Sequence, residues 1–284
     1  MVAGCGKDNS GRISLLAEDM VRGGGAKVFV DPATPSGASW NSGETIDLNG
    51  GAYTITKNGS SYYLDLAPLA TTMYALYPAT LATGGNDIVV SNGGNDYCAV
   101  AINMLAVNFH DGGHDVVFPM AAKADAESGA LKFKHLTGGL RLTLRNSTAS
   151  AITVDTVRIG ATNGAGAAIY KNLKPNSTDW PGWNPQSLPA VPGDEVGGNN
   201  GDVSAKFVGS MTLVMKSGGN PHVSIAAGQS ITFCVPILSD SIRTISVTGY
   251  NGSVTPLFNA SKTLTTALPV MRNKMYSIPD IVID

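Results

Sequence analysis

Leu140-Arg141-Leu142-Thr143-Leu144-Arg145 runs into Asn146-Ser147-Thr148 and then into Ile152-Thr153-Val154-Asp155-Thr156-Val157-Arg158-Ile159. Leucine at every second position, with Arg or Thr between, makes a strand with one apolar and one wet face. Successive side chains of an extended chain point to opposite sides, so a period of two is a strand signal. The Asn-Ser-Thr triplet reads as a turn, because short polar side chains bond readily to their own backbone. Beyond it Ile152 and Val154 share one parity, and Val157 and Ile159 share the other. That switch predicts a bulge or bend near Asp155.

The same grammar recurs along the chain. Tyr53-Thr54-Ile55-Thr56-Lys57, then Asn58-Gly59, then Tyr62-Tyr63-Leu64-Asp65-Leu66 reads as a hairpin with both turn residues at positive φ. Further strands are expected at 211–215, 231–237, 242–247 and 254–258. Helical periodicity is scarce. Its best stretch, residues 14–22 with Leu15, Leu16 and Met20, reads equally well as a strand and a loop. Short strands closed by Gly, Asn and Pro turns imply all-β sandwiches rather than a parallel α/β sheet. The 284 residues suit two such domains better than one. The small, polar, aperiodic stretch at 125–130 places the boundary there. The expected division is 1–12 as a leading tether, 13–128 as the first sandwich and 129–284 as the second. Residues 174–202 form the longest irregular stretch, with Trp180-Pro181-Gly182-Trp183 inside it. Trp180 and Trp183 have flat faces suited to stacking on sugar rings; alternatively, they pin the loop onto the sandwich.

Composition narrows the chemistry. Charged residues are 14% of the chain and the formal net charge is −2, against about a quarter charged in an average soluble domain. Such a chain has no electrostatic footprint for nucleic acid. Hydrophobic residues at 43% supply a core and argue against wholesale disorder. No uninterrupted apolar run reaches about 18 residues, which excludes a spanning helix in this sequence. Cys5, Cys98 and Cys234 are too few and too scattered for a disulfide framework or a zinc site. His110-Asp111-Gly112-Gly113-His114-Asp115 reads as a polar turn, since two glycines between the histidines break the helix that would align them. No nucleophile elbow, phosphate loop or metalloprotease helix occurs. The expectation is a protein that is not an enzyme, with no metal and no cofactor.

Val2-Ala3-Gly4-Cys5 places small residues directly before a cysteine, the pattern of a lipobox. There a signal peptidase cuts before the cysteine once its thiol carries diacylglycerol. Cys5 is therefore the candidate lipid-attachment residue, with the polar stretch 6–11 as a flexible tether. The alternative is an ordinary tail that contains these four residues.

Several segments, taken in order, resemble the Bacteroidetes fimbrillin family. Ala26-Lys27-Val28-Phe29-Val30 and Trp40-Asn41-Ser42-Gly43-Glu44-Thr45-Ile46 resemble its opening strand and W-x-x-G-[DE]-x-I pattern. Tyr74-Ala75-Leu76-Tyr77-Pro78 is similar to its Y-x-x-Y-P strand end, and Phe118-Pro119-Met120-Ala121 to its segment before the interdomain link. Leu131-Lys132-Phe133-Lys134-His135 with the leucine strand resembles the start of its second domain, and Met271-Arg272-Asn273-Lys274-Met275-Tyr276 its closing strand. Each motif is weak alone; their collinearity over nearly the whole chain makes the resemblance specific.

The resemblance implies two tandem transthyretin-like Greek-key β-sandwich domains and a structural or adhesion subunit of a surface fimbria. It implies export as a lipoprotein to the outer membrane, which supports Cys5, with membrane contact only through that anchor. Polymerising members lose their first strand to an arginine-specific protease, and a neighbour's strand fills the groove. Carried onto this chain, Ile13, Leu15 and Ala17 lie in the removable strand and Arg22 is the processing residue. Arg12 lies too early to release that strand. The alternative for Arg22 is a loop cation in an uncleaved anchor. The candidate donor is 276–284, through Ile278, Ile281 and Ile283, which otherwise form an ordinary final strand. Expected partners are other fimbrial subunits and a host or bacterial surface glycan or protein. The competing function is a surface glycan-binding lipoprotein that uses Trp180 and Trp183.

Overall fold

The computed structural model describes residues 11–17, 21–22, 40, 43–79, 87–92, 95–103, 106–109, 118, 120–135, 137–162, 167–171, 207–208, 211–215, 220–237, 241–271 and 273–284. For 21–22, 87–92, 95–103, 106–109, 167–171, 207–208, 211–212, 241 and 279 it describes the backbone alone. Among the described residues every regular element is a strand, and the fold is all-β.

In chain order the first strands are β1 (Ile13–Ala17), β2 (Val21–Arg22), β3 (Thr45–Leu48), β4 (Gly51–Thr54), β5 (Thr56–Asn58) and β6 (Ser61–Leu64). There follow β7 (Met73–Tyr77), β8 (Asp87–Asn92), β9 (Asn95–Asn103), β10 (Ala106–Phe109), β11 (Met120–Ala124) and β12 (Ala130–His135). The leucine strand is β13 (Gly138–Asn146), followed by β14 (Ile152–Val154), β15 (Thr156–Ala161), β16 (Ala167–Lys171), β17 (Phe207–Val208) and β18 (Met211–Met215). The last are β19 (Val223–Ile225), β20 (Ser230–Ile237), β21 (Ser241–Tyr250), β22 (Phe258–Pro269) and β23 (Lys274–Ile283).

An eight-stranded sheet runs β4-β3-β7-β11-β12-β1-β6-β5. Its pivot is β12, whose first four residues pair with β1 while Lys134 and His135 pair with β11. The apolar faces of the two limbs meet in a first core, built from Ile46, Met73 and Tyr77 on one side and Ile13, Leu15 and Leu64 on the other. A second core lies between the sheets β2-β23-β13-β20 and β10-β18-β15-β21-β22. Its centre is the alternating strand: Leu140, Leu142 and Leu144 are buried, Arg141 and Thr143 half-buried, and Arg145 exposed.

The two cores share a wall. On β7, Met73, Ala75 and Tyr77 belong to the first core, whereas Leu76 belongs to the second. On β11, Met120 and Ala122 face the first core and Ala121 the second. Leu131 and Phe133 of β12 lie in the first core and Leu140 in the second, so the chain changes core between His135 and Leu140.

The parity switch at Asp155 is a change of sheet. β14 pairs with β19, while β15 lies between β18 and β21. Asp155 fixes the corner: its N–H donates to the Tyr250 carbonyl (3.0 Å), its carbonyl accepts from Met215 N–H (2.7 Å), and its carboxylate accepts from Gly252 N–H (2.5 Å).

Two expectations need correction. Residues 254–258 are not a strand: Val254 is 96% exposed at a hairpin tip, and β22 begins only at Phe258. Gly252, at φ 62°, turns the chain there, and Pro256 has no N–H for a ladder. The hairpin near Gly59 turns one residue later than expected, because Asn58 pairs with Ser61 and only Gly59 takes positive φ. A glycine at the first loop position is the signature of a type II′ turn. Two adjacent positive-φ residues occur instead at Asn49 (51°) and Gly50 (86°), between β3 and β4. Of the two readings of 14–22, the strand is the one found.

Candidate functional site

The strand β1 is an interior lane of the eight-stranded sheet. On one side it runs antiparallel to β6, with Ile13 opposite Leu64 and Leu15 opposite Tyr62. On the other it runs parallel to β12, with Leu15 opposite Leu131 and Ala17 opposite Phe133. Ile13 and Leu15 are fully buried, Ala17 is half-buried, and Ser14 and Leu16 face solvent. Burying two such side chains contributes about 1.5–3 kcal/mol each. Among the described residues the hairpin β5–β6 joins the sheet only through β1. Within the sheet, five residues therefore carry the ladder between the two limbs.

An aromatic cluster covers this lane. The Trp40 ring stands edge-on to Tyr62 at 5.4 Å, Phe133 at 5.5 Å and Tyr77 at 6.1 Å. Tyr62 is on β6 and Phe133 on β12, so the indole spans the two strands that flank β1. The Tyr77 hydroxyl donates to the Glu44 carboxylate; burial, and then the Glu44 charge, raise its pKa well above the ordinary phenol range. The Trp40–Glu44 and Tyr74–Tyr77 motifs, 30 or so residues apart in sequence, thus meet in one contact set.

The entry of the lane carries a second set. Arg12 Nε donates to Asp65 Oδ1 at 2.8 Å, and its guanidinium lies 4.3 Å from the Tyr63 ring centre. Thr56 Oγ1 donates to Asp65 Oδ2 at 3.2 Å. The two charged side chains are 42% and 58% exposed, so this pair contributes at most about 1 kcal/mol.

Arg22 closes the two-residue strand β2, which lies parallel on β23 with Val21 opposite Lys274 and Arg22 opposite Met275. The candidate donor residues occupy the chain's own second core. Ile278 lies opposite Leu142, Ile281 opposite Leu144 and Ile283 opposite Asn146, and all three are buried. Ser147 Oγ donates to the Ile283 carbonyl (2.8 Å) and the Asp284 carboxylate (2.7 Å), fastening the end of β23.

Cys5, Trp180, Trp183 and the His110–His114 pair lie outside the described residues, and of Cys98 only the backbone in β9 is described. Cys234 is half-buried on β20, opposite Arg141. No group of three metal-ligating side chains occurs among the described residues, and no helix among them is long and apolar enough to cross a membrane. In the sequence Arg12 is weighed only as a cleavage residue, and Tyr63 and Asp65 only as members of a hairpin strand. Their signal was positional: Arg12 directly precedes the first buried residue of β1, and Asp65 directly follows that residue's partner, Leu64.

No protein-family model matches the sequence, and no curated protein matches it. Among solved structures, a "putative cell adhesion protein" from Bacteroides ovatus aligns over 96% of this chain and 94% of its own, at TM-score 0.47 and 13% identity. A protein described in the same words from Bacteroides uniformis aligns over 97% and 94%, at TM-score 0.38 and 14% identity. A minor pilin of Streptococcus agalactiae aligns over 97% of each chain, at TM-score 0.25 and 10% identity.

Proposed function

We propose that this chain is a structural or adhesion subunit of a surface fimbria, exported as a lipoprotein through Cys5 and assembled by strand exchange. The observation that carries the strand exchange is the position of β1. Both of its neighbours, β6 and β12, come after Arg22 in sequence, and its covalent link to them passes through that residue. A cut at Arg22 leaves the preceding segment held without a covalent link, by the β1 ladders and two buried side chains, the Arg12 contacts with Asp65 and Tyr63, and the short β2 ladder on β23. Its departure opens an apolar lane edged by unpaired N–H and C=O groups on both sides, which an extended strand of another subunit satisfies. Trp40, Tyr62 and Phe133 remain on the retained side to line it. The partners are other fimbrial subunits, with a surface glycan or protein as the adhesion target.

The test is limited digestion of the full chain with an arginine-specific protease. Cleavage at Arg22, loss of the preceding residues and denaturant-resistant oligomers are expected, and Arg22→Ala stays monomeric. Clean release of β1 that leaves a lane able to take up neither a strand of a second copy nor an added extended peptide sinks the polymerising mechanism.

A further inference from the structure

Ile13 and Leu15 set an apolar frame that many extended peptides would meet. The entry of the lane adds a charge condition. Asp65 and Tyr63 stay with the body of the molecule when β1 leaves, while Arg12, the cation between them, leaves with the strand. Asp65 is already oriented, because Thr56 holds its second oxygen. An incoming strand therefore meets a carboxylate beside an aromatic face, a combination that favours a cation.

The candidate donor of this same chain carries the opposite charge. In Asp280-Ile281-Val282-Ile283-Asp284 the two isoleucines have the spacing of Ile13 and Leu15. Seated in the direction of β1, Ile281 takes the place of Ile13 and Asp280 that of Arg12. Seated in reverse, Ile283 takes the place of Ile13 and Asp284 that of Arg12. Either way a carboxylate faces Asp65.

We propose that the lane left by β1 selects a donor strand with a cationic side chain directly before its first buried residue. It thus takes a strand from a different subunit in preference to the C-terminal segment of a second copy of this chain. This inference rests on the strand-exchange reading and adds the identity of the partner. The apolar frame supplies most of the hold, and the Asp65–Tyr63 subsite supplies discrimination.

The experiment uses the full chain with a site-specific protease sequence inserted at 23–25, cut and loaded with a fluorescent peptide of residues 11–17. Competitors are that peptide unlabelled, its Arg12→Ala and Arg12→Glu forms, and the 276–284 peptide with and without Asp280→Lys and Asp284→Lys. The Arg12→Glu peptide is expected to compete about tenfold less well than the native one at low salt, from one exposed ion pair and one cation–ring contact. The gap narrows at high salt and in an Asp65→Asn protein, and the lysine forms of 276–284 outcompete the native form. If the native and Arg12→Glu peptides compete equally, or native 276–284 matches the Arg12 peptide, the charge selection is overturned while strand exchange stands. If the native peptide itself never exchanges, both fall.

Discussion

Asp47 is a buried carboxyl in the middle of a sheet limb, 1% exposed between β4 and β7. One oxygen accepts from Gly50 N–H at 3.0 Å and so ties down the Asn49–Gly50 turn. Burial raises its pKa above the ordinary aspartate value of 3.8, with the Gly50 bond pulling the other way. A carboxyl raised by folding binds its proton more tightly in the native state. Its contribution is therefore whole below the ordinary value and is lost as pH climbs through the raised one. Asp47→Asn keeps an acceptor for Gly50 and removes the charge. Urea denaturation should find the mutant gaining on the wild type from pH 4 to pH 8, by about 1.4 kcal/mol per unit of upward shift. A constant difference across that range would show that folding leaves the proton affinity of Asp47 unchanged. None of this was legible in Thr45-Ile46-Asp47-Leu48, where an Asp between apolar residues reads as the wet side of a strand. Asp47 lies opposite Leu76 of β7, on the face that turns to the second core, and that burial is a tertiary fact that period-two patterning does not carry.

The elements were legible where one face is buried and the other wet. The leucine strand kept its alternation, and the parity switch at Asp155 marked a real discontinuity. Residues 254–258 failed because Val254 and Leu257 are apolar but sit at an exposed tip, where turn chemistry at Gly252 and Pro256 outranks hydrophobicity. The part played by β1 was also out of reach. Ile13-Ser14-Leu15 announces a strand, but only the pairing order reveals that β5–β6 hangs from it. A two-stranded hairpin is marginal on its own in water. Releasing β1 should therefore raise amide hydrogen exchange across 56–64 by orders of magnitude while the β13–β23 ladder keeps its protection. Adding back the 11–17 peptide should restore it. Unchanged protection in 56–64 after release would mean that the hairpin is held by side-chain packing, and the lane would then close rather than stand open for a donor.

At the scale of the molecule, the two cores are coupled through the strands they share. Leu76 sits on β7 between Ala75 and Tyr77; its neighbours line the first core, and its own side chain lines the second. Ala121 does the same on β11. A strand buried on both faces reads in sequence as a plain apolar run, so Tyr74-Ala75-Leu76-Tyr77 gives no hint of which residue serves which core. Two cores that share strands lose their common wall together, so unfolding of one withdraws packing from the other. Truncating Leu76 to Ala removes side-chain volume from the second core alone and should cost about 2–5 kcal/mol. Met73→Ala makes a comparable hole in the first core alone. If the shared wall couples the halves, calorimetry will give one transition for the wild type, and each mutant will shift it whole. Two resolved transitions, with Leu76→Ala moving one and Met73→Ala the other, would mean that β7 and β11 serve two independent domains. Vacancy of the β1 lane would then not be felt at β23, where a donor strand of this chain would have to leave its own sheet.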